Sequence, residues 1–152
     1  DRVNNMSIIM EDDVTLVDDF RNRLEQCIIE VTRQDPEWDM LLLGWCCSYN
    51  DHHYCMKNDY ERVINNVVKV NYWFGGWAYC VRSREVAQKI LNRFDPIPFH
   101  IDLSLAEMSY NNTLRVYGCV PTLANHAGSL RISSHDFTQT GNVNFVKSDT
   151  TQ

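Results

Sequence analysis

The stretch Ser7-Ile8-Ile9-Met10-Glu11-Asp12-Asp13-Val14 sets a short apolar run directly against three carboxylates. An unbroken apolar run of this length reads as a strand buried on both faces, as in a parallel sheet. Beyond it, Phe20, Leu24, Ile28 and Val31 recur at helical spacing and make one apolar stripe, which predicts a helix over Asp19–Arg33. Asp18 or Asp19 suits its N-cap, and Asp35-Pro36 ends it. Met40-Leu41-Leu42-Leu43 then reads as a second fully buried strand, closed by Gly44. Strand, helix and strand in that order form a βαβ unit. The expected fold class is therefore α/β, with a mixed, mostly parallel sheet flanked by helices.

The segment Trp45–Asp59 is rich in Cys, His, Asn and Tyr, has no period, and reads as a long loop of the kind that often carries function. Val67, Val68, Val70 and Tyr72 suggest a strand. Phe74-Gly75-Gly76-Trp77 reads as a break before another short strand over Ala78–Arg82. Ser83 caps a second helix whose core face is Val86, Ala87, Ile90 and Leu91, and Asp95-Pro96-Ile97-Pro98 stops it. Ile101–Tyr110 reads as a further short helix and Leu114–Val120 as a late strand. From Ser133 onward the chain is polar and reads as a loose tail.

A length of 152 residues is that of one domain able to bury its own core. The net charge of −6 argues against binding to a nucleic-acid backbone, which calls for a basic surface. No apolar run approaches a membrane span, and no secretory signal pattern opens the chain. There are six cysteines: Cys27, Cys46, Cys47, Cys55, Cys80 and Cys119. Cys27 sits in a helical apolar pattern, and Cys80 and Cys119 sit in strand-like runs, where free cysteine behaves as a small buried hydrophobe. Reduced thiols in a cytoplasmic setting are the expectation, with a secretory lumen and a disulfide framework as the alternative. Asn5-Met6-Ser7 and Asn111-Asn112-Thr113 match the glycosylation pattern, which is common by chance.

Glu11-Asp12-Asp13 stands at the carboxyl end of a strand, the edge where open α/β sheets bind ligands. In extended backbone Glu11 and Asp13 point the same way. Adjacent carboxylates repel, and a hard divalent cation relieves that repulsion. The competing reading is an acidic helix start favoured by the helix dipole. Asp102, in Pro98-Phe99-His100-Ile101-Asp102, is a candidate catalytic base, with Glu107 as substitute and a helix N-cap as the plainer role. His126 follows the last strand and suits an oxygen-rich metal site, or else a hydrogen-bonded place in a loop. Cys46-Cys47 with His52, His53 and Cys55 supplies zinc-type ligands, but at a spacing that matches no zinc motif. Trp45, Tyr72, Trp73 and Trp77 offer either aromatic surface for sugar rings or ordinary core packing.

Four segments in order carry a family resemblance. They are Ile8-Ile9-Met10-Glu11-Asp12-Asp13-Val14, Trp38-Asp39-Met40-Leu41-Leu42-Leu43-Gly44, Gly76-Trp77-Ala78-Tyr79-Cys80-Val81-Arg82-Ser83, and Pro98-Phe99-His100-Ile101-Asp102. Together they resemble the family 25 type glycosyltransferases of the GT-A fold, a group that includes bacterial lipooligosaccharide, collagen and large-DNA-virus enzymes. The resemblance covers roughly residues 7–131 and implies the C-terminal part of a GT-A-like glycosyltransferase domain over residues 1–132, with a polar tail at 133–152. It implies that Glu11, Asp12 and Asp13 face the nucleotide-sugar donor, with Asp13, Glu11 and His126 as ligands to Mn²⁺ or Mg²⁺. Asp102 is the implied base. The implied reaction is a metal-dependent transfer of a hexose to a glycan or glycoprotein acceptor, with inversion. A non-catalytic carbohydrate- or nucleotide-binding module of the same fold is the alternative. The motif position held here by Glu11 is Asp in the family pattern. Only ten residues precede the acidic motif, too few for a nucleotide-binding βαβ portion, so an N-terminally truncated chain is expected.

Overall fold

The structure is a computed structural model that describes residues 6–46, 60–64, 66–97 and 100–126. The expected tail at 133–152, the end of the 1–132 domain, Asn5, Pro98, Phe99, and the cysteine and histidine loop residues Cys47, His52, His53 and Cys55 lie outside them. The elements in chain order are β1 (Ser7–Met10), β2 (Val14–Leu16), α1 (Phe20–Gln34), β3 (Met40–Cys46), β4 (Tyr60–Ile64) and β5 (Val67–Val70). They continue with β6 (Phe74–Val81), α2 (Arg84–Arg93), α3 (Ile101–Tyr110), β7 (Val116–Cys119) and β8 (Ala124–His126).

Six strands form one sheet in the order β1-β6-β3-β7-β5-β4, and β2 pairs with β8 in a separate ribbon. The main sheet is mostly antiparallel: among the described residues only β3 and β7 form a parallel pair. This corrects the mostly parallel sheet expected from the βαβ pattern. The crossover from β1 through α1 to β3 exists, and the two strands run in the same direction, since each is antiparallel to β6. β6 lies between them. The sequence hid it because Gly75 and Gly76 look like a break, whereas the strand runs through both, from Phe74 to Val81.

β3 is the strand that organises the core. Its alternating side chains serve both faces, as the pleat requires. Met40 and Leu42 pack with Val86 of α2 and with Leu105 and Met108 of α3. Leu41 and Leu43 pack with Leu24, Cys27 and Val31 of α1. Helices therefore cover both faces, and the unbroken Met40–Leu43 run reports real two-sided burial. The similar run in β1 does not. Ile8, Ile9 and Met10 are 40–47% exposed: among the described residues β1 is the sheet's edge strand, paired on one side only.

The α1 stripe packs as its spacing predicts, with Leu24, Cys27 and Val31 buried and Phe20 and Ile28 against them. Its N-cap is Asp19, but at φ 59° this residue makes no side-chain cap bond; it accepts instead from the Asn22 side-chain amide. Ser83 does cap α2, accepting from Val86 N at 3.4 Å. Val86, Ala87 and Ile90 face the core, while Leu91 is 61% exposed, contrary to its expected core place. Trp45, Trp73 and Trp77 are buried, so they are core residues rather than aromatic surface.

Cys27, Cys80 and Cys119 are free thiols. Burial pushes the Cys80 thiol up to about 11 and holds that of Cys119 well above its usual value. The hydrogen bond with Cys119 draws Cys27 down. Among the described residues, no helix is long and apolar enough to cross a membrane.

Gly118, in the central strand β7, makes room for an indole ring, whereas Gly76 does not. A Cβ at Gly118 of β7 would lie 2.5 Å from the Trp45 ring, whose N–H donates to Cys119 O at 3.2 Å. A Cβ at Gly76 would meet only Trp73 Nε1, at 3.4 Å. Gly118→Ala should therefore destabilise the fold by about 1–3 kcal/mol through overpacking, while Gly76→Ala should stay within about 0.5 kcal/mol. Urea unfolding of the two variants checks this contrast; equal costs would contradict it.

Candidate metal and ligand site

The site forms at the carboxyl ends of β1, β3 and β7, which all point the same way. The chain extends the β1–β6 pairing by one bond, Glu11 N to Trp77 O at 2.9 Å, and then turns through Asp12 and Asp13. The turn leads into β2, whose Val14 pairs with His126 of β8. This ribbon is what returns the late part of the chain to the acidic turn. Neither β2 nor β8 is legible from periodicity, because each spans three residues.

Three of the residues expected at the site converge. His126 Nε2 stands 3.2 Å from Asp13 Oδ2 and 3.3 Å from Glu11 Oε2. One ligand atom from each of the three lies within 4.8 Å of the others. The two carboxylates are about half exposed and the imidazole is 26% exposed, so solvent and a ligand can both reach them. Asp12, between the two carboxylates in the turn, is exposed and does not join the three. The convergence comes from the turn and from His126, not from the extended alternation expected for Glu11 and Asp13.

Trp77 sets this geometry. Its carbonyl holds the Glu11 backbone, and its indole N–H donates to Ala124 O at 2.9 Å, two residues before His126. Its ring meets the His126 ring edge-on at 5.9 Å. The indole can lie there because Gly44 has no side chain: a Cβ at that position would overlap the Trp77 ring and lie 2.7 Å from Ala124 O. Leu123 N also donates to Leu43 O at 2.7 Å, which fixes the entry to β8 on the end of β3.

Beside Glu11 opens a cleft of about 400 Å³ between β1, β6 and the start of α3. Glu11, Tyr79, Gly75, Gly76 and Asp102 are among its lining residues. Asp102 lies in the first turn of α3, whose N-cap is His100, so Asp102 is not the cap. Instead its Oδ2 accepts from Gly75 N at 3.2 Å, and its other oxygen has no hydrogen-bond partner among the described residues. Gly75 has φ 54°, a left-handed conformation that glycine adopts without strain. Glu107, the substitute base, is exposed on α3 and does not line the cleft. Tyr79, missed in the sequence as a site residue, also faces the cleft. Burial and the Glu11 carboxylate raise its phenol above the usual range.

Two carboxylate oxygens and one imidazole nitrogen suit a hard to intermediate divalent cation such as Mn²⁺ or Mg²⁺, with open positions left for water or a ligand. Cys46 lines neither this group nor the cleft; its Sγ contacts Phe74 O at 3.2 Å.

No protein-family model matches the chain, and no curated protein matches it. The case for a site therefore stands on its geometry. Mn²⁺ titrated into the protein should bind saturably, and Asp13→Asn or His126→Ala should weaken binding by about tenfold or more. Trp77→Phe, which removes the donor to Ala124 O, should weaken it less, by about tenfold at most. Calorimetry reads all three, and an affinity unchanged by Asp13→Asn and His126→Ala would show that these side chains hold no ion.

Proposed function

We propose that the chain carries the metal and acceptor side of a nucleotide-sugar-dependent glycosyltransferase of GT-A type. The carrying observation is that Glu11, Asp13 and His126 converge beside a cleft into which Asp102 also faces. A carboxylate–imidazole group and a separate carboxylate meet the two requirements of glycosyl transfer, leaving-group charge and acceptor activation.

A bound divalent cation would supply positive charge to a departing diphosphate. Glu11, Asp13 and His126 are the residues that would hold it. Asp102 acts as the base. The Gly75 N–H fixes one oxygen of this cleft-lining carboxylate, and the other is the one assigned to the proton transfer. That oxygen takes the proton of an acceptor hydroxyl as the acceptor oxygen bonds to the anomeric carbon. The bond from the anomeric carbon to the diphosphate breaks on the opposite face, which gives inversion. Donor-base contacts are assigned to none of the described residues. Buried thiols at Cys80 and Cys119 favour a reducing, cytoplasmic compartment for the activity.

The test is release of nucleoside diphosphate from a panel of nucleotide sugars, with a simple glycoside as acceptor, with and without Mn²⁺. Turnover should require Mn²⁺, and Asp102→Asn should lower kcat about 10²- to 10⁴-fold while leaving Mn²⁺ affinity unchanged. Glycoside binding without turnover by any donor would replace this reading with that of a carbohydrate-binding module.

A further inference from the structure

Tyr79 lines the cleft, yet its hydroxyl serves neither the carboxylate–imidazole group nor the proton transfer. In β6 it stands opposite Ile9 of β1 on one side and Leu42 of β3 on the other, so the three side chains share one face of the sheet. Leu42 is buried in the core with residues of α2 and α3, while Ile9 is 40% exposed at the sheet edge and lines the cleft. Tyr79 lies between them, half-buried and packed against that core. A tyrosine placed in this way brings an apolar body and a polar tip to one surface.

That tip has no protein partner. Among the described residues the Tyr79 hydroxyl makes no hydrogen bond. It is not a buried orphan either, since among those residues Trp73 Nε1 is the one buried side-chain polar atom left unpaired. The hydroxyl is therefore accessible, on a residue that lines the cleft. Burial and the Glu11 carboxylate hold the phenol in its protonated form, so it offers an O–H donor.

Asp102 is held at Gly75, four residues before Tyr79 along β6. At the rise of an extended strand those two positions lie up to about 13 Å apart. Glu11 is held at Trp77, between them. The cleft thus has a carboxylate toward one end, a phenol donor toward the other, and apolar wall from Ile9, Ile101 and Leu105. One pyranose ring covers only part of that span, and two linked rings cover it. A cleft of about 400 Å³ is large enough for a ligand of that size.

We propose that the cleft takes an acceptor glycan of at least two sugar rings, with the reacting hydroxyl at Asp102 and the Tyr79 O–H donating to an oxygen of the second ring. This rests on the glycosyltransferase reading and names its acceptor class. Tyr79 is there a specificity-determining residue and takes no part in the proton transfer.

The experiment is calorimetry on the whole chain with one-ring and two-ring probes. The one-ring probes are methyl β-galactopyranoside and methyl β-glucopyranoside; the two-ring probes are methyl β-lactoside and methyl β-cellobioside. At least one two-ring glycoside should bind more tightly than both one-ring glycosides. Tyr79→Phe removes only the O–H and keeps the ring in its packing. It should weaken that two-ring glycoside about three- to tenfold while leaving one-ring and Mn²⁺ affinities unchanged. A structural role for the hydroxyl alone would not move this selectivity. Equal affinity for one and two rings, no binding of any of the four, or a two-ring affinity unchanged in Tyr79→Phe overturns the proposal, even if a donor is turned over. Two-ring selectivity that depends on Tyr79, without turnover of any donor, supports the subsite and removes only the enzymatic reading.

Discussion

Gly44 has no side chain, and the Trp77 indole occupies the space where one would stand. From there the indole N–H reaches Ala124 O, while the carbonyl of the same residue holds Glu11 N. One residue of β6 thus ties the end of β1 to the start of β8, although Glu11 and His126 are far apart in sequence. Apart from that tie, the β2–β8 ribbon is held by its own few bonds, by Leu123 N to Leu43 O and by the burial of Leu123 and Ala124 in the core. A short two-stranded ribbon is marginal alone, so docking onto β3 and β6 is what gives His126 a fixed place. The edge position of β1 has a related consequence: its end is open to solvent, which leaves Glu11 and Asp13 reachable.

The electrostatics follow from this placement. Two carboxylates converge on one imidazole nitrogen at the end of the sheet, in a chain of net charge −6. Like charges held so close favour a cation among them. Asp102 lines the neighbouring cleft under different control, one oxygen held by the Gly75 backbone N–H. Gly75, which supplies that N–H, lines the same cleft.

Much of this was legible in the sequence, and the gaps have physical causes. The α1 stripe, the Met40–Leu43 strand, the Ser83 cap and the extent of α3 followed from periodicity and capping chemistry. Glu11, Asp13 and His126 were named because of their chemistry and their positions after strands. The strand directions were not legible. An antiparallel strand inserted between β1 and β3 leaves the strand–helix–strand pattern intact, and its glycines disguise it. The apolar run of β1 misled because an edge strand can be apolar and still exposed. Tyr79 was missed as a cleft residue because a strand-like position gives no sign of which ring borders a cavity. Its signal, a raised phenol, exists only in three dimensions.

The central claim is that Trp77 gathers Glu11, Asp13 and His126 into one cation site. The most direct measurement is anomalous X-ray diffraction at the manganese edge from crystals of the protein grown with Mn²⁺. The account predicts a single strong anomalous peak within bonding distance of Glu11, Asp13 and His126 together, about 2.0–2.3 Å from each ligand atom. Ordered density for these three side chains with no peak among them, or a peak held by other residues, would contradict it.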